Sequence, residues 1–114
     1  MFIQEKGAGG PVAGFEPTTM TIHFNPCMGA RWASGAVASP AVILAHELGH
    51  AREFARDPAE YRAGLATREP GFPNGEEKRN FLAVEAPVTK ELGEPMRDGP
   101  STPAPLPCST AGHR

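Results

Sequence analysis

The longest apolar stretch of the chain, Val42 to Ala51, is broken only by His46, Glu47 and His50. Ser39-Pro40 before it reads as an N-cap followed by the residue best tolerated in a first helical turn, and Asp57-Pro58 repeats that signature after it. Helices are therefore predicted from Pro40 to Arg56 and from Pro58 to roughly Ala66. Upstream, Thr18 to Phe24 alternates, with Met20, Ile22 and Phe24 on one face and Thr19, Thr21 and His23 on the other. That period marks a half-buried strand, ended by Asn25-Pro26. Cys27 to Ala38 reads as a loop of small residues around Trp32 that leads into the first helix. After a loop dense in turn formers, Thr67 to Gly75, Asn74 can cap a last helix from about Glu76 to Leu92. Glu76 and Glu77 suit the positive end of its dipole, and Gly93 suits its left-handed terminator. Pro87 should kink this helix or split it in two.

Composition changes the picture mainly at the ends. A chain of 114 residues makes one domain, but its 13 Gly and 13 Pro concentrate toward the termini. The expected organisation is a flexible Gly-rich leader over 1–17, with room for a short strand at Phe2-Ile3, a domain over 18–99, and a disordered Pro-rich tail over 100–114. The tail carries Cys108, so a structural disulfide to Cys27 is not expected and both cysteines read as free thiols. A net charge of −2 leaves no electrostatic footprint for nucleic acid or an acidic membrane, and no apolar run is long enough to span a bilayer. No secretory signal is visible at Met1 to Lys6, an expectation of synthesis in a bacterial cytoplasm with any export by a signal-independent route.

The chemistry lies in the first helix. His46 and His50 are one turn apart and share a face, so their imidazoles can converge on one ion, and His-Glu-x-x-His on a helix is a zinc-ligand pattern. Glu47, one position round, can act as general base on a water at the metal's open position. Gly49 weakens the helix, and the usual reason to keep such a residue is close approach by another element.

Catalytic zinc needs a third protein ligand. The metzincin continuation is ruled out by Glu53 and Arg56, which stand where Gly and His would be needed, and no downstream Gly-Thr-x-x-Asp is present. A deformylase-like site would use Cys27, but without the sequence context typical of that enzyme. A Glu from the last helix remains, the gluzincin solution: Glu76 and Glu77 rank equally, with Glu85 third and better suited to pairing with an Arg. Glu76 and Asn80 share a face, so one can bind zinc while the other fixes a ligand imidazole; Glu77 aligns instead with Phe81, Val84, Glu85 and Val88. His23, Tyr61 and Arg97 are candidate donors to an oxyanion or to substrate, and the Thr19 to Phe24 strand is a candidate edge for a substrate backbone. The expected fold is α+β: a small zincin-like domain with an active-site helix, a short sheet or hairpin and a second ligand-bearing helix.

In the order of these segments the chain resembles the NleD-like effector zinc metallopeptidases, which also occur as toxin domains of Rhs-type proteins. The resemblance covers about Thr18 to Arg97. It runs through Thr21-Ile22-His23-Phe24-Asn25-Pro26, Leu44 to Ala51, Glu76 to Phe81, and Glu85 to Arg97 with its Glu91-Leu92-Gly93-Glu94-Pro95-Met96-Arg97. Two positions depart from the family: Ala86 stands where Asn is usual, and no Tyr follows Arg97. The resemblance implies a zinc-dependent endopeptidase of effector or toxin type, acting on a host or competitor protein. A zinc-binding module without turnover and a zinc-dependent amidase of small molecules are the alternative readings.

Overall fold

The computed structural model describes residues 1–5 and 13–107 and shows a mixed α+β domain with two three-stranded sheets. In the first sheet β3 (Thr21–Phe24) is central, parallel to β1 (Phe2–Glu5) and antiparallel to β2 (Ala13–Glu16). In the second, β4 (Met28–Arg31) lies between β5 (Val37–Ala38) and β6 (Thr102–Pro105), antiparallel to both. Four helical segments follow β5 before β6: α1 (Pro40–Arg56), α2 (Pro58–Ala66), α3 (Gly75–Asn80) and α4 (Ala86–Leu92), the last two joined through a wide π-type turn, Phe81–Glu85.

Helix α1 is the organising element and rests on strands of both sheets. Val42 and Ile43 bury their side chains with Ala30, Trp32 and Ala38 to form the core. On the other side of α1, Phe54 meets Phe15 of β2 and Tyr61 of α2 edge to face, at centroid distances of 6.1 and 5.4 Å. The helix bounds agree with those expected, and the caps are local: Asp57 accepts from the Glu60 N–H and Asn74 from the Glu77 N–H. Ser39 does stand at the N-cap of α1, but its hydroxyl turns away to Glu94, whose carboxylate also accepts the Ser39 N–H at 2.8 Å.

The ends differ from expectation. The leader supplies β1 and β2 rather than a single short strand, while residues 6–12 lie outside the described residues. Met20 turns left-handed at φ 51°, so the predicted strand begins only at Thr21. The small-residue loop folds into the hairpin of β4 and β5, where Gly29 lets the β5 backbone approach closely. The Pro-rich tail is ordered over Thr102–Pro105, with Ala104 buried. Alternation explains how a strand containing Pro103 and Pro105 can pair: the Leu106 N–H donates to Cys27 O at 2.9 Å, so even-numbered amides face β4 and the prolines fall on the outer edge. The same pairing brings the tail to Cys27, which is disulfide-bonded and not a free thiol; Cys108 and the rest of 108–114 lie outside the described residues. A disulfide-bonded Cys27 is also no metal ligand.

Both edges of β3 are occupied, so the Thr19 to Phe24 segment cannot take a substrate as an added strand. Among the described residues no helix is long and apolar enough to cross a membrane.

Candidate metal centre

The site forms where α3 and the π-type turn cross α1. Gly49 permits the approach: a Cβ there would overlap Asn80 Oδ1 and press on Val84. Asn80, fully buried, donates to the His46 carbonyl at 2.8 Å and so fixes the height of α3 along α1. Gly64 of α2 makes equivalent room for the backbone of Glu76. Replacing Gly49 by Ala gains roughly 1 kcal/mol of helix propensity but incurs an overpacking cost of about 1–3 kcal/mol. We expect a net loss of stability and a fall of several degrees in Tm by thermal unfolding; an unchanged Tm would mean that α3 can retreat from α1 freely.

Pro87 is what interrupts the last helix, but the disruption falls just before it. Pro87 has no N–H for the preceding turn, and the chain answers with the wide turn Phe81–Glu85 instead of a break. The phase shift matters for the chemistry. At about 100° per residue, Glu77 and Glu85 would be roughly 80° apart around an unbroken helix; one extra residue in the turn brings them to within about 20°. Both therefore face α1.

The two histidines are held identically. His46 Nδ1 lies 2.7 Å from Glu85 Oε1 and His50 Nδ1 lies 2.8 Å from Glu76 Oε2. A carboxylate only accepts, so each Nδ1 carries the proton and each Nε2 is left with its lone pair. Those two Nε2 atoms face each other at 3.1 Å, and the Glu77 carboxylate spans them at 3.1 and 2.9 Å. Two lone pairs and a carboxylate converge on one point, an arrangement that repels itself unless a positive charge sits among them. Without a metal ion that charge is a proton: burial opposes it most strongly, yet the hydrogen bonds of His46 to Glu77 and Glu85, with the nearby Glu47, raise its pKa to about 9. Burial likewise opposes charge on Glu77, but the two imidazoles outweigh it and hold the carboxyl well below its ordinary range. With one ligand atom from each, His46, His50 and Glu77 fit within 4.8 Å of one another, a donor set of two nitrogens and one oxygen that suits a divalent cation.

Each residue singled out in the sequence thus has a place. Glu77 meets the Nε2 pair; Glu76, its equal in the sequence, sits behind His50 instead, where Arg79 holds it. Asn80 takes a backbone carbonyl and not an imidazole, leaving ring orientation to Glu76 and Glu85. Glu85 does pair with an arginine, Arg97, and orients His46 as well. Glu47 borders a cleft of about 340 Å³ together with Trp32, Val42, His46, Glu77 and Arg97. Burial raises its pKa, a tendency the two histidines partly offset, so its carboxylate is a better proton acceptor than a freely solvated one. Tyr61 packs its ring edge-on to His50 at 6.3 Å, and burial together with Glu76, Glu77 and Glu47 keeps it a phenol. Arg97 reaches the cleft, but Nε and Nη2 are taken by Glu85 and its guanidinium stacks 4.4 Å over Trp32. His23 is not brought to the cleft: it pairs with Glu16 across the first sheet at 3.3 Å.

The residue that sequence reasoning passed over is Arg79. Its signal was present, since it follows Glu76 by three positions on a helix, the spacing of a side-chain pair. No protein-family model, curated protein or solved structure matches the chain.

Proposed function

We propose that the protein is a zinc-dependent peptidase whose metal is held by His46, His50 and Glu77. The observation that carries this reading is the pair of Nε2 atoms turned on the Glu77 carboxylate, with each Nδ1 already spoken for by a carboxylate behind it. When bound, the cation supplies Lewis acidity toward a water and a scissile carbonyl. Glu47 stands one position from His46 on the cleft wall, takes the proton of the attacking water and passes it to the leaving amine. Trp32 and Val42 give the cleft beside Glu47 an apolar wall. The resemblance of Thr18 to Arg97 to NleD-like effectors extends the proposal to a host or competitor protein as target.

The test is cleavage of a denatured protein mixture, with new amino termini read by mass spectrometry. Zinc-loaded protein is expected to generate them, a strong chelator to stop it, and added zinc to restore it. Zinc bound without any new terminus would reduce the protein to a metal-binding module.

A further inference from the structure

Two side chains outside the ligand set repeat one arrangement around it. Arg79 donates through Nε and Nη2 to the two oxygens of Glu76, both at 2.7 Å, and Glu76 accepts from His50 Nδ1. Arg97 donates through Nε and Nη2 to the two oxygens of Glu85, at 2.8 and 3.0 Å, and Glu85 accepts from His46 Nδ1. The carboxylates are almost completely buried, at 1% and 0% exposure, whereas both guanidiniums reach the surface. Each arginine is also anchored by something other than its carboxylate. Arg79 reaches the Gly49 carbonyl on α1, and Arg97 lies flat on Trp32, whose indole N–H is held by Pro95 O.

We propose that Arg79 and Arg97 are positioning residues that set the affinity and coordination geometry of the metal centre through Glu76 and Glu85. The inference rests on the metal-binding part of the functional reading above and adds to it residues that never touch the ion. A carboxylate rotates about its last bond, and as it does the direction of the hydrogen bond it accepts swings with it. A bidentate guanidinium fixes both oxygens in one plane, so the oxygen facing each imidazole stays in place and the ring behind it cannot turn. Charge points the same way. Glu47, Glu76, Glu77 and Glu85 place four carboxylates around the two histidines; Glu53, 3.8 Å from Arg79, is matched by Arg56, so Arg79 and Arg97 leave the cluster an excess of two negative charges, which one dication neutralises.

Arg→Lys is the informative substitution, because Lys keeps the charge but is a point donor that cannot hold both oxygens. Zinc affinity is measured by competition with a chromophoric chelator, and the ligand field from the visible absorption of the cobalt-substituted protein. For Arg79→Lys and Arg97→Lys we expect zinc Kd to rise about tenfold each, the low end of the usual cost of disturbing an outer partner of a metal-bound imidazole. We also expect a cobalt spectrum altered in intensity and position. Lys78→Met serves as the control: Lys78 is next to Arg79 on α3, and the substitution breaks its 2.7 Å ion pair with Glu69 of the preceding loop, which has no imidazole behind it, so both readouts should stay unchanged. Unchanged affinity and spectrum in both Arg→Lys variants would overturn the inference while leaving the metal centre intact, as would an equal loss in the control. Wild-type protein that takes up neither zinc nor cobalt would remove the metal centre itself, and the inference with it; metal uptake without peptide cleavage would remove the peptidase alone.

Discussion

Glu47→Gln is expected to lower turnover by about 10²–10⁴-fold while the protein keeps its full complement of zinc. Glu47 is on the wall of the cleft and takes no part in the donor set of His46, His50 and Glu77, so removing its charge leaves the ligand atoms where they are. Its amide replacement is nearly isosteric and can still hydrogen-bond a water, but it cannot take the proton. Because burial already makes the Glu47 carboxylate costly, the Gln variant should also fold at least as well as the wild type. Metal content by atomic emission, measured on the preparation used for the cleavage assay, checks both halves. A Gln variant with wild-type turnover would take the base role away from Glu47.

The second large effect separates two neighbouring acids that sequence alone ranks equally. Glu77→Gln removes a donor from the metal, and the loss of zinc affinity should go well beyond the about 10–100-fold typical of outer partners. Glu76→Gln should stay within that range, because the Gln oxygen can still accept from His50 Nδ1 at the position now held by Oε2. The stability effects should run in the opposite order. Glu77 is partly exposed, and when its charge is removed the imidazoles can shed the extra proton and stay neutral, so no buried charge is stranded. Glu76 is buried with Arg79 bound to both its oxygens, so Glu76→Gln removes the close counter-charge of that guanidinium and leaves it only the longer 3.8 Å pair with Glu53. Isothermal titration with zinc alongside thermal unfolding reads out both orders. Equal losses of affinity would mean that the two carboxylates share the ion.

What could be read from the chain was what lies within a turn or two of itself. The bounds of α1 and α2 follow from Ser39-Pro40 and Asp57-Pro58, the left-handed end of α4 from Gly93, and the shared face of His46 and His50 from a spacing of four. The α+β class followed from the same local signals. Misreadings gathered where the partner is far away in sequence. A Pro-rich segment reads as disorder until a distant strand offers it an edge, and only β4, more than seventy residues before it, makes β6 and the bonded state of Cys27 intelligible.

The choice between Glu76 and Glu77 belongs to the same class. Both are acids at a helix start, about 100° apart around the axis, and nothing in their own neighbourhood says which will face the imidazole pair. Rotation and height of α3 decide it, and these are set by Asn80 beneath Gly49, by Gly64 against Glu76 and by the wide turn before Pro87. The chain alone determined that His46, Glu47 and His50 share one helix with both imidazoles on one face, because helical periodicity is a local property. Tertiary packing alone decided which carboxylate meets the two Nε2 atoms and which two stand behind the rings, because a hydrogen bond across 26 or 39 residues depends on where two helices come to rest.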